Sequence, residues 1–139
     1  MKRFFLKKLS KIFVVILSIL GITIACTNCK YGTDQVGHVF RGTVTDSVTS
    51  EPIKDINVVM SLTDGWRDSV QTDASGQYVI EFWDLAGTYT VNFTANDVDD
   101  TLNGKYFSKS IQVNANSSGH DNDEQVNFNG NDIKLRKNE

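Results

Sequence analysis

Cysteine, histidine and proline are scarce in this chain, whose 139 residues contain two Cys, two His and one Pro. Two Cys are too few for a scaffold held together by disulfides. Two widely separated His and so few Cys offer little toward the three or four ligands of a zinc site. The length is also short for a multi-domain enzyme. We therefore expect one small folded domain that binds no cofactor.

Motifs of enzymatic catalysis are absent as well. There is no Gly-x-Ser-x-Gly elbow to present a nucleophilic serine. The two histidines are His38, at the predicted boundary of the folded domain, and His120, in the polar stretch 114–125, and neither has a nucleophile motif beside it. The sequence therefore predicts that the protein is not an enzyme.

Positive charge is concentrated at the N-terminus. Five of the 14 Lys and Arg residues fall in the first 25 positions, which hold no Asp or Glu. Residues 26–139 keep nine basic and 17 acidic residues, a formal charge of −8. Affinity for nucleic acid depends on clustered Lys and Arg, so we expect no nucleic-acid partner for this acidic region.

The N-terminal segment has the pattern of an export signal. Its basic residues are followed by the uncharged apolar run 12–24, which is shorter than the roughly 20 residues of a spanning helix. If the run is counted back to Phe4, an uncleaved anchor helix is the alternative. We expect a helical signal peptide over residues 1–25, which takes no part in the fold.

The end of the apolar run, Ala25-Cys26, resembles the lipobox of bacterial lipoproteins, although Thr23 stands where that motif has Leu. The resemblance implies cleavage before Cys26 and acyl chains such as palmitate on that cysteine. Each buried CH₂ contributes about 0.8 kcal/mol, so several chains hold even an acidic domain on a membrane. Thr27 is not the Asp that resembles an inner-membrane retention signal. We therefore expect an exported lipoprotein of the outer membrane, facing the periplasm or the cell surface.

A stalk follows the lipidation site. Residues 26–37 are rich in turn formers and follow neither a helical nor a strand period, which predicts a flexible tether. If Cys26 carries the lipid, Cys29 has no cysteine partner in the mature chain. It is then an inert thiol, half of an intermolecular disulfide or a modification target. Tyr31 lies two residues further on, in the short motif Cys-x-Tyr-Gly-Thr.

From Val39 onward apolar and polar residues alternate, which is the period of half-buried strands. Turn residues such as Asp64-Gly65 separate the segments. Short strands at this spacing predict an all-β, antiparallel β-sandwich of about seven strands over residues 38–139. The predicted strands are 39–45, 56–62, 66–72 as an edge, 77–82, 89–93, 106–113, and one or two short closing strands at 126–128 and 133–135.

Two family resemblances extend this interpretation. The order Gly42-Thr-Val-Thr-Asp46, Pro52-Ile53 and then Gly76-x-Tyr78 is similar to the carboxypeptidase regulatory-like, or transthyretin-like, sandwich, which implies architecture but no catalytic residue. The lipobox, the stalk motif and this domain together resemble the radical SAM-associated lipoproteins. That resemblance implies a non-enzymatic binding or structural module that is the substrate or partner of a neighbouring radical SAM maturase. It makes Cys29 and Tyr31 the candidate modification sites.

The alternative function is that of a carbohydrate- or protein-binding accessory lipoprotein of the cell surface. Trp66 and Trp83 are its candidate ligand-binding residues, since they offer a platform for sugar rings, whereas large aromatics more commonly pack in small cores. Trp66, beside a predicted turn, is expected to be the more exposed. Asp97, Asp99 and Asp100 are candidate Ca²⁺ ligands, but they lack the spacing of a known calcium loop, and acidic runs commonly serve only to solvate a loop.

Overall fold

The computed structural model describes residues 34–99, 104–121 and 123–138. These residues contain no helix, and so none long and apolar enough to cross a membrane. The predicted signal peptide, Cys26, Cys29 and Tyr31 lie outside the described residues. The described part of the chain forms eight strands: β1 (Val36–Asp46), β2 (Ile56–Leu62), β3 (Arg67–Gln71), β4 (Gln77–Asp84), β5 (Thr88–Asp97), β6 (Lys109–Asn116), β7 (Gln125–Phe128) and β8 (Ile133–Leu135).

Two four-stranded sheets form the sandwich. In the first sheet β1 is central: it pairs antiparallel with β4 on one side and parallel with β7 and then β8 on the other. The second sheet has the order β3-β2-β5-β6, and each neighbouring pair is antiparallel. The predicted all-β sandwich is therefore confirmed. The pairings of β7 and β8 with β1 differ from the predicted antiparallel pattern, because they are parallel. The chain reaches β7 from β6, which lies in the other sheet, so no hairpin forces β7 to run antiparallel to β1.

Alternation along the strands builds the core between the sheets. Every second residue of β2 and of most of β4 is buried. Phe40 of β1 and Phe93 of β5 are fully buried, and their ring centroids lie 5.6 Å apart. Fully burying one such side chain contributes about 1.5–3 kcal/mol. Contacts of this kind between the two sheets are the main source of stability.

The bounds of some strands agree with the prediction and those of others differ. β2 and β8 cover the predicted residues, and β3 is the predicted edge strand. β1 begins at Val36, three residues before the predicted start, because β4 already pairs with it there. β6 begins at Lys109, later than predicted, because Tyr106 forms a bridge with Lys137 and the ladder with β5 starts only at Lys109.

The turn before β4 depends on a glycine. Gly76 has φ +69°, and a Cβ there would lie 2.5 Å from the carbonyl oxygen of Val44. Asp73 closes the same turn, because its carboxylate accepts the backbone N–H groups of Ser75 and Gln77 at 2.8 and 2.9 Å. A side chain at residue 76 would therefore meet both strain and a backbone clash.

Buried polar groups tie the connections to the strands. The hydroxyl of Thr72 donates to the carbonyl of Ile53 at 2.7 Å and accepts the N–H of Ile56 at 3.0 Å. The hydroxyl of Tyr78 donates to the carbonyl of Asn131 at 2.5 Å, and burial raises the pKa of Tyr78. Leaving such a buried group unsatisfied costs about 1–3 kcal/mol, so these contacts hold the loops to the core.

Candidate functional site

The outer face of the first sheet carries the candidate site. Because His38 and Phe40 of β1 are buried in the core, the residues between and beside them face the opposite side of the sheet. Cross-strand partners share that side. We call this surface the Trp83 face, and it comprises Gly37, Val39 and Arg41 of β1, Val79, Glu81 and Trp83 of β4, and Gln125 and Asn127 of β7.

Trp83 lies over a glycine. Gly37 is its cross-strand partner, and a Cβ on Gly37 would lie 3.0 Å from the ring atoms Cη2 and Cζ2 of Trp83. Any larger residue at position 37 would push the indole away from the sheet. Trp83 as a residue nevertheless stays 43% exposed. Glycine at this position therefore lets a large aromatic ring rest against the backbone of β1 and still present surface to solvent.

Polar side chains surround an apolar floor on the Trp83 face. Val39 is only 2% exposed although it faces outward, whereas Val79 is 48% exposed. Arg41 donates a hydrogen bond to the side-chain oxygen of Asn127, which orients both groups. Glu81 is exposed opposite Val39. Stacking surface with a few placed polar groups is the chemistry of sites that recognise small molecules and sugars.

A shallow depression continues this surface toward the end of β1. Its volume is about 240 Å³, and its lining includes Arg41, Thr43, Gln77, Val79 and Asp132. The Asp132 carboxylate accepts the backbone N–H of Thr43 at 2.8 Å. The Trp83 face thus joins an aromatic ring at one end to a polar hollow at the other, with Arg41 between them.

Trp66 does not belong to this surface. Its ring lies 5.2 Å from that of Phe82 and packs against the core. The prediction that Trp66 is the more exposed tryptophan is therefore wrong. The cause is the turn after β2, where the N–H of Leu62 donates to the carbonyl of Trp66 at 2.9 Å and folds residue 66 back over the end of the sandwich.

Of the candidate calcium ligands, Asp97 uses its carboxylate oxygens within a loop. The Asp97 carboxylate accepts the N–H of Tyr106 at 2.9 Å and that of Asp99 at 3.4 Å. Asp100 lies outside the described residues. Within residues 34–99, 104–121 and 123–138, no group of three or more His, Cys, Asp or Glu side chains is arranged to hold a metal ion. Asp97 therefore acts in the structure as a backbone cap of the β5–β6 connection.

His38 lies in the core and not at a boundary, a place that sequence reasoning missed. Its side chain is fully buried, and its Nε2 lies 2.8 Å from the hydroxyl of Ser117. The ring stacks on Phe82 at 4.5 Å and meets Tyr89 edge-on at 4.9 Å. Desolvation by burial lowers the pKa of His38, although Asp84 and nearby backbone oppose the shift.

The Ser117 hydroxyl and the His38 ring are the kinds of group that form a nucleophile and its base. Ser117, however, is fully buried like His38. The Ser117 hydroxyl also accepts the N–H of Gly87 at 3.0 Å. These contacts join β1, the β4–β5 turn and the residue that follows β6. The signal for this role was the alternation of His38 with Phe40, both of which belong on the core side of one strand.

These features define a class of protein: an all-β sandwich domain with an exposed tryptophan among polar groups on one sheet face. The family model of the carboxypeptidase regulatory-like domain matches residues 39–128. The chain belongs to that family, as the resemblance in its sequence implied. None of the curated proteins matches the chain.

Several solved structures are similar to this chain at low sequence identity. Chlorocatechol 1,2-dioxygenase from Pseudomonas putida is 11% identical, with a TM-score of 0.52 over 77% of this chain and 63% of that chain, less than two thirds of its length. The Bacillus anthracis TIE protein is 16% identical, with a TM-score of 0.47 over 73% and 17%. The C-terminal domain of the shaft pilin SpaA from Lactobacillus rhamnosus GG is 13% identical, with a TM-score of 0.43 over 76% and 100%. The first likeness shows the fold alone.

Proposed function

We propose that this protein is a non-enzymatic, lipid-anchored exported lipoprotein of the outer membrane whose sandwich is a binding module. The observation that carries the binding role is the Trp83 face, where an exposed indole ring rests on Gly37 beside orienting polar groups. The Ser117–His38 contact supports a non-catalytic domain, since both side chains are buried and no substrate reaches the hydroxyl.

The anchor is proposed from the N-terminal sequence. A basic segment, the apolar run 12–24 and Cys26 stand in the order of a lipoprotein signal. Changing Cys26→Ser should move the protein out of the membrane fraction and remove the acyl mass from the N-terminal peptide. Retention of the whole chain in the membrane with an intact N-terminus would instead indicate an uncleaved anchor helix.

A carbohydrate is the ligand that the Trp83 face fits best. The C–H face of a sugar ring stacks on an indole, while amide, guanidinium and carboxylate groups bond its hydroxyls. The test is glycan-array binding of the full chain, of Trp83→Ala, and of Val48→Ala as a control at an exposed residue (84%) away from the face. We expect the wild-type chain to bind glycans selectively. The Trp83→Ala variant should lose this binding, and the Val48→Ala variant should retain it. Binding that survives Trp83→Ala would remove the face from the proposal.

The partnership with a radical SAM maturase is proposed from the stalk motif. Cys29 and Tyr31 are the residues that such an enzyme would modify. Intact-mass analysis of the membrane fraction, with and without the neighbouring enzyme, should show an enzyme-dependent mass that Cys29→Ser or Tyr31→Phe abolishes. An unchanged mass in the presence of the enzyme would leave the sandwich as an accessory lipoprotein unrelated to any maturase.

A further inference from the structure

The edges of the two sheets differ in how well they resist pairing with another chain. Natural edges are protected by short length, charge or irregularity. β3 is five residues long and carries Arg67 and Asp68. β4 carries Glu81 and Asp84. The opposite edge of the first sheet is divided between the short strands β7 and β8. These three edges therefore have recognisable protection.

β6 has little of this protection. It is eight residues long, contains neither proline nor carboxylate, and carries a single charge, Lys109, at its first position. Within the described residues it pairs only with β5, so the backbone groups on its other side form no strand ladder. The bridge between Tyr106 and Lys137 precedes the strand and leaves it uncovered.

Apart from Lys109, the side chains of β6 are neutral on both faces of the sheet. Its outward residues continue hydrogen-bonded rows from β5, with Thr90 bonded to Asn114 at 3.2 Å and Asn92 to Gln112 at 3.0 Å. On the core side, Ile111 and Val113 pack against the core but are only partly buried, as the last row of the sheet. A strand added at this edge would find amide groups on one face and apolar groups on the other.

We propose that β6 is a docking edge for a second copy of this chain, which adds its own β6 in antiparallel orientation about a two-fold axis. Residues opposite each other must then share a face, so the axis passes through Gln112 or through Val113. With the axis at Gln112, Ile111 lies opposite Val113 of the second copy, and Ser110 lies opposite Asn114. Lys109 lies opposite Ala115, so no like charges meet. The two second sheets become one continuous eight-stranded sheet.

Self-pairing is favoured over another partner because the edge is complementary to itself. An acidic or basic partner would find no matching charge along residues 110–116. A copy of the same strand supplies amide groups opposite amide groups and apolar groups opposite Ile111 and Val113. Cross-strand pairs of these kinds stabilise sheets, whereas like charges directly opposite each other destabilise them.

The test introduces like charges at the edge. The double variant Gln112→Lys with Asn114→Lys places lysines opposite each other in either register. The matched control is Thr90→Lys with Asn92→Lys: it lies on the same face, loses the same two side-chain hydrogen bonds and adds the same charge, but one strand away from the edge. The full chain in detergent micelles is examined by sedimentation equilibrium over about a hundredfold range of concentration.

We expect a concentration-dependent dimer for the wild type and the control, and a dissociation constant at least about tenfold higher for the edge variant. A wild type that stays monomeric throughout, or an edge variant that dimerises as well as the control, would overturn the proposal. Hydrogen exchange of the wild type tests the same pairing without a variant. The backbone amides of β6 that point away from β5 should exchange more slowly as the protein concentration rises. Unchanged exchange at these amides would also overturn it.

Discussion

Acidification tests whether the core holds His38 in its neutral form. The folded-state pKa of His38 lies below the ordinary value of 6.5, chiefly because burial disfavours the imidazolium ion. Below pH 6.5 the unfolded chain therefore binds a proton that the folded chain does not. Stability is fully present above about pH 6.5, falls as the pH drops toward the folded-state pKa, and levels off below it.

The size of the effect follows from one proton. Each pH unit costs at most about 1.4 kcal/mol. Between about pH 7.5 and about pH 5.5 the free energy of unfolding should therefore fall by up to about 1.4 kcal/mol. For a domain of this size that corresponds to a lowering of the melting temperature by about 5–10 °C. Asp84 and the phenol of Tyr89 are the titratable groups beside the ring, and Asp84 reduces the effect because it stabilises the charged imidazole.

The assay is chemical denaturation of the wild type, His38→Gln and His120→Gln across this pH range. His38→Gln should be less stable at neutral pH, since it loses the ring contacts, but its stability should vary little with pH. His120→Gln is the control that removes the other, exposed histidine, and acidification should destabilise it more than it destabilises His38→Gln. Equal slopes for the wild type and His38→Gln would refute the reasoning.

Three further substitutions probe separate contacts. Thr72→Val removes one buried hydroxyl with two partners and should lower the free energy of unfolding by about 1–3 kcal/mol, measured by urea denaturation; a neutral result would mean that water replaces the hydroxyl. Tyr78→Phe should lower the free energy of unfolding by about 1 kcal/mol in the same assay, because it leaves the Asn131 carbonyl without this donor. An unchanged free energy of unfolding would show that the hydrogen bond does not contribute to stability. Gly37→Ala should displace the Trp83 ring and weaken glycan binding with little change in melting temperature; binding equal to the wild type would show that the ring position is unimportant.

Much of the fold was predictable because strand alternation and turn residues are local signals. The pattern of β2, with Ile56, Val58, Met60 and Leu62 on one face, appears in the structure with the predicted bounds. Gly76, one of the residues that carry the family resemblance, has the positive φ that the turn before β4 requires. The pairing of β7 and β8 with β1 was not predictable in the same way, because a local pattern says which side of a strand is buried but not which strand lies beside it.

The candidate site was predicted only in part. The sequence named Trp83 as a candidate ligand-binding residue, but it ranked Trp66 as the more exposed, since nothing local shows that a turn folds Trp66 onto Phe82. The neighbours of Trp83 were not predictable either. Gly37 belonged to the predicted stalk, and Gln125 comes from the far end of the chain.

Sequence alone determined the chemical character of each segment: the basic and apolar N-terminus, the two-residue period from Val39 onward and the acidic charge of the remainder. These are properties of residues that are neighbours in the sequence, so they can be inferred from the local pattern of charge and hydrophobicity. Tertiary structure decided which distant residues meet, such as His38 with Ser117, Trp83 with Gly37, and Arg41 with Asn127. The physical reason is that strand order and register depend on packing the two sheets against each other, and that energy is shared by residues from the whole domain.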